Sequence, residues 1–156
     1  MIILGIDPGT AITGYGVIKK GPTKIETIDY GCIITDASFS TAERLKKIDQ
    51  QLTKIIRKYK PQQMAVEDIF FFKNAKTVIK VSQARGVILA RAARMNIPID
   101  EYTPLQIKQA TTSYGRAEKK QVQRMVKLIL NLKEIPKPDD AADALATAIC
   151  CAHSNK

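Results

Sequence analysis

The first 34 residues constrain the fold more than anything after them. Three segments of strand character stand there, at 2–7 (IILGID), 14–19 (GYGVIK) and 24–34, separated by turns at Pro8-Gly9 and Lys20-Gly21-Pro22. Connections that short join antiparallel neighbours, because a parallel return needs a crossover of a dozen or more residues. The chain therefore opens with an antiparallel meander, and the rest must be built onto it.

Helices and single strands then alternate. Ser40 and Glu43 have the spacing of a capping box, and Leu45, Ile48, Leu52, Ile55, Ile56 and Tyr59 repeat at helical spacing. A helix is expected over 41–59, ended by Pro61. Strands are expected at 63–67 and 97–101, with a helix over 75–94 between them. Thr103-Pro104 reads as a helix start, 111–116 as a loop, 117–132 as a basic helix and 139–152 as the last helix. The order is β-β-β-α-β-α-β-α-α. Strands four and five arrive through helices, so they should run parallel to the first. The expected fold is α/β: one domain over 1–156 with a five-stranded mixed sheet and helices on both faces.

That topology carries a functional consequence. Sites in such sheets form at the carboxyl ends of parallel strands. Asp7 and Glu67 each end one, so two carboxylates 60 positions apart become neighbours. Asp140 and Asp143 stand i and i+3 at the start of the last helix and share a face. Asp139 and Asp143, at i and i+4, share one equally well. Each acid also has an ordinary reading. Asp7 can open the Asp-Pro-Gly turn; Glu67 can simply end a strand; Asp139, Asp140 and Asp143 can complement the helix dipole.

Charge gives the acids a context. The net charge is +10, and residues 73–133 hold 13 Lys and Arg against three acids, while the remainder is neutral. A localised basic surface is the footprint of a phosphate partner. Four acids in its middle would repel that partner and raise one another's pKa. Hard divalent cations, Mg²⁺ or Mn²⁺, resolve both conflicts, and two such ions support phosphodiester hydrolysis. The lone His153 and the three scattered cysteines argue against zinc and against a disulfide scaffold. No apolar run reaches the ~18 residues of a membrane span. MIILGIDPGT is interrupted too soon for a signal peptide, so a cytoplasmic location without membrane association is expected.

Five stretches together resemble the RuvC-type Holliday-junction resolvases, crossover junction endodeoxyribonucleases of ribonuclease H-like fold. They are GIDPGTAITGYGVI (5–18), AVEDIFFFKNAKT (65–77), QARGVILA (83–90), QIKQATTSYGRAEKKQVQRMV (106–126) and DAADALATAI (140–149). The resemblance implies that Asp7, Glu67, Asp140 and Asp143 are the catalytic, metal-holding acids. It selects Asp140 over Asp139, which becomes an N-cap. It implies DNA contacts by Phe70, Lys73, Lys108, Arg116, Lys119 and Lys120, with Phe71 and Phe72 sharing core or DNA roles with Phe70. It further implies a homodimer packed through the helix at 75–94, using Val78, Val81, Ala84, Gly86, Ile88, Leu89 and Ala90. The expected partners are four-way junction DNA and the RuvA and RuvB branch-migration proteins.

The expected activity is symmetric metal-dependent nicking of a four-way junction, leaving 5′-phosphate and 3′-hydroxyl ends. Other readings are a ribosomal-RNA-processing nuclease of the same fold and a non-catalytic junction-binding module. An actin-like or Hsp70-like ATPase needs a duplicated half for which this chain is too short.

Overall fold

A computed structural model of the chain describes residues 1–68 and 75–154. The meander forms as expected: β1 (Ile2–Asp7), β2 (Ile12–Lys20) and β3 (Ile25–Ile34). Then come α1 (Thr41–Tyr59), β4 (Gln63–Glu67), α2 (Ala75–Arg94) and β5 (Ile99–Tyr102). Three helices finish the chain, α3 (Pro104–Thr112), α4 (Lys119–Ile129) and α5 (Asp139–Ser154). The sheet order is β3-β2-β1-β4-β5. β1 pairs antiparallel with β2 and parallel with β4, and β5 is parallel to β4.

Local chemistry accounts for most boundaries. The Ser40–Glu43 capping box is present, and α1 closes with Lys60 in a left-handed conformation, its N–H donating to Ile56 at 2.8 Å. α3 is a helix in its own right, opened by a Thr103–Gln106 capping box with proline in its first turn. It extends to Thr112, into the stretch expected to be loop. The basic helix begins at Lys119 rather than 117, with Glu118 extended before it and its N–H donating to the Gln121 side chain at 2.8 Å. Glutamate is not a favoured N-cap, which hides this start from sequence patterning. β5 starts at Ile99 because Ile97 still donates to Ala92 at the end of α2.

Strand alternation divides the apolar residues between two layers. Leu4, Ile6, Val17, Met64 and Val66 pack against Ile48, Leu52 and Ile56 of α1 and Ala84, Ile88 and Ala92 of α2. Ile3, Ile18, Ala65 and Tyr102 face the other way, with Ile107 of α3, Val122 and Val126 of α4, and Leu145 and Ile149 of α5.

α5 lies unusually close to the sheet, and two glycines permit it. A Cβ at Gly5 would stand 2.2 Å from the Ala144 carbonyl oxygen, and one at Gly14 would stand 2.0 Å from that of Asp140. Any side chain at either position would push the helix off. The facing surface of α5 is correspondingly small, with Ala141, Ala144 and Ala148 fully buried.

The same burial pattern corrects one expectation about α2. Ala84 and Ile88 are fully buried against the chain's own sheet and are unavailable to a partner. Exposed instead are Ile79, Gln83, Gly86 and Ala90, one helical stripe with open space over Gly86.

Candidate active site

Three elements bring the acids together. Asp7 ends β1 opposite Gly14 of β2. Gly14 in turn lies under Asp140, so the close approach of α5 sets Asp140 beside Asp7. Glu67 ends β4 one position beyond the Ile6–Val66 pair, on the same face as Ala65 and Gly5. Asp143 follows Asp140 by three residues of helix, which turns it toward Glu67. Cys32, paired with Gly14 across β2 and β3, adjoins the cluster from the far side. Burial and the nearby Asp140 and Asp7 push its thiol up to about 11.

The electrostatics record this convergence. Burial raises Asp7 from 3.8 to about 8, aided by Glu67, Asp143 and Asp140 in that order. Burial also raises Glu67 to about 7, with Asp143 adding to it and a hydrogen bond from Asp7 opposing it. Asp143 is raised too, first by burial, while Lys119 pulls it down. Groups shifted this way, by desolvation and like charge in a cleft, mark functional sites.

Lys119, the first residue of α4, is the counter-charge. Its Nζ lies 3.0 Å from Asp143 and 3.4 Å from Asp139. Asp139 is the first residue within α5 and pairs outward with Lys119, rather than serving as the N-cap. Lys108 joins Glu67, Lys119 and Asp143 in lining a cavity of about 240 Å³, floored by Ile107 and Val122. Arg116 and Lys120 are exposed and stand outside that lining. Phe70, Phe71, Phe72 and Lys73 lie outside the described residues.

The donor set fits a hard divalent cation. All its ligating atoms are carboxylate oxygens, they destabilise one another, and they already attract an ammonium group. Among the described residues, no three acids are gathered tightly enough to hold one ion as they stand. Lys119 holds Asp143 instead.

Comparison with known proteins decides the family. The model of the family described as crossover junction endodeoxyribonuclease RuvC matches residues 3–151. The chain belongs to the RuvC family. The RuvC of Halothermothrix orenii is 58% identical over 155 residues, 99% of this chain and 93% of that protein. That of Fusobacterium nucleatum is 56% identical over 155 residues, 99% of this chain and 80% of that protein. The structure of Thermus thermophilus RuvC in complex with a Holliday junction substrate superposes with a TM-score of 0.92 at 35% identity, covering 99% of this chain and 94% of that one. RuvC-family nucleases are metal-dependent, in keeping with the all-oxygen donor set. No helix among the described residues is long and apolar enough to cross a membrane.

Proposed function

We propose that this chain, as a single nuclease domain over 1–156, resolves four-way DNA junctions by metal-dependent phosphodiester hydrolysis. The observation that carries the reading is the convergence of Asp7, Glu67, Asp140 and Asp143 beside a cavity lined by Lys108 and Lys119. The four acids would hold the metal, two Mg²⁺ per site with Mn²⁺ able to substitute. When bound, the ions supply Lewis-acid activation of the attacking water and neutralise charge at the phosphate.

The chain's own residues prepare that chemistry. Burial and mutual repulsion make ionised Asp7 and Glu67 costly, and a divalent cation would relieve that cost. Lys108 and Lys119 draw the scissile phosphate into the same cavity against the acids' repulsion. Arg116, Lys120, Phe70 and Lys73 would extend the DNA contact beyond it. Two protomers would meet through the Ile79–Gly86–Ala90 stripe of α2 and nick strands of like polarity symmetrically. The products would carry 5′-phosphate and 3′-hydroxyl ends. RuvA and RuvB would supply the branch-migrated junction in the cytoplasm.

The test is cleavage of a synthetic four-way junction with and without Mg²⁺, mapped on both strands, alongside linear duplex DNA and structured RNA. Symmetric nicks on the junction alone, lost in Asp7→Asn with binding retained, support the proposal. Undiminished cutting by Asp7→Asn, or preference for RNA, overturns it.

A further inference from the structure

Among the described residues, one ionic constellation stands outside the acid cluster yet holds its support. Arg85 of α2 has a side chain only 18% exposed. One of its guanidinium nitrogens lies 2.9 Å from Asp68 and pairs also with Glu101. Asp68 directly follows Glu67, and Glu101 lies on β5 in register with Val66. The Asp68 N–H donates to the Tyr102 carbonyl at 2.8 Å, so the two strand ends are locked at the same level.

Strand alternation explains the division of labour. Val66 and Glu101 face α2, whereas Glu67 and its registered neighbour Tyr102 face α3 and α5. Arg85 thus grips, from behind, the two strand ends whose front carries Glu67. Without the guanidinium, α2 would lose its tie to Asp68 and Glu101 and so to the strand ends whose backbone bears Glu67. A single guanidinium nitrogen serves both carboxylates, so a lysine ammonium, on a shorter stem, is a partial substitute.

We propose that Arg85 is a positioning residue: by tying α2 to the ends of β4 and β5 through Asp68 and Glu101, it holds Glu67 in place for catalysis. The inference rests on the reading of Glu67 as a catalytic acid. It also links the helix that carries the exposed Ile79–Gly86–Ala90 stripe to the placement of an active-site carboxylate.

An internal comparison exists. Asp49 and Arg91 form a similar pair between α1 and α2, with Nε at 2.7 Å, but neither touches the strand ends. Arg91→Met should lower stability and leave the chemical step alone. The experiment measures single-turnover junction cleavage with Mg²⁺, junction affinity without it, and oligomeric state by sedimentation. The variants are Arg85→Met, Arg85→Lys, Glu101→Gln, Arg91→Met and Glu67→Gln.

The expected result for Arg85→Met is a rate lower by on the order of 10- to 100-fold, the usual effect of a small misplacement of a reacting group. Affinity and oligomeric state should be unchanged, with partial rescue by Arg85→Lys. If Arg85→Met does not fold, Glu101→Gln, which leaves the Asp68 pair intact, should show the same split in milder form. A normal rate in these variants, or an equal loss in Arg91→Met, overturns the proposal. Glu67→Gln separates the two levels. If it cleaves normally, the site reading itself is wrong. If it is inactive while Arg85→Met is normal, only the role of Arg85 falls.

Discussion

Asp7→Asn should make the metal-free protein more stable, by an amount that grows with pH. In the folded chain the Asp7 carboxyl sits at about 8 against 3.8 for the ordinary group, chiefly because it is buried beside Glu67. Folding therefore takes up a proton above pH 4, and stability falls as pH rises toward the folded value. From pH 4 to pH 7 is roughly three pKa units at about 1.4 kcal/mol each, so Asp7 destabilises the fold by about 4 kcal/mol at neutrality. Asparagine has no proton to take up, and its amide can still donate to Glu67. Urea unfolding in EDTA from pH 4 to pH 8.5 measures the difference directly. The two proteins should coincide near pH 4 and separate by about 4 kcal/mol at pH 7. Mg²⁺ should then stabilise the wild type and much less the variant. Equal stability at pH 8, or a gap that widens toward acid, would refute the claim that burial and like charge dominate this site. The cost fits a general trade, in which a site arranged for chemistry is strained until its ligand arrives.

Other perturbations test separate parts of the architecture. Gly14→Ala forces a Cβ to within 2.0 Å of the Asp140 carbonyl oxygen. α5 must lift by about 1 Å, which should slow junction cleavage by on the order of 100-fold while the protein still folds, as judged by circular dichroism. Lys119→Met removes the cation that pulls Asp143 down. Metal-free stability should then fall more steeply between pH 4 and pH 8, measured by thermal melts across that range. Gly86→Arg points into open space on α2; it should leave the monomer's stability intact and abolish dimers in sedimentation. Leu145 is fully buried under the sheet, and Leu145→Ala should cost about 2–5 kcal/mol in urea unfolding.

Much of the site was readable along the chain because its residues mark the ends of elements. Asp7 and Glu67 close strands whose parallel relation follows from connection length alone. The meander, the capped helix α1 and the i,i+3 pair on α5 are local patterns, and local patterns are written in consecutive residues. Less was readable where pairing crosses the fold. That Asp139 turns outward to Lys119 depends on where α4 begins, and that start has only the Gln121 side chain reaching back to the Glu118 N–H to mark it. That Ala84 and Ile88 are buried inside the subunit depends on how α2 is rotated against α1, which apolar composition does not specify. Arg85 looked like one more cation in a basic region until its partners on two strands were in place.

By itself, then, the order of residues determined the mixed sheet and most of its elements, set carboxylates at strand and helix ends, and left Asp139 and Asp140 as equal candidates. Those are properties of periodicity, turn chemistry and connection length. Only the tertiary structure decided how closely the acids meet. Gly5 and Gly14 let α5 approach so near that Asp140 and Asp143 arrive beside Asp7 and Glu67, and a missing side chain has no pattern that announces which helix will occupy its space. The charges of the site are local facts of sequence, but their mutual pressure is a matter of distance and burial, and both come from packing.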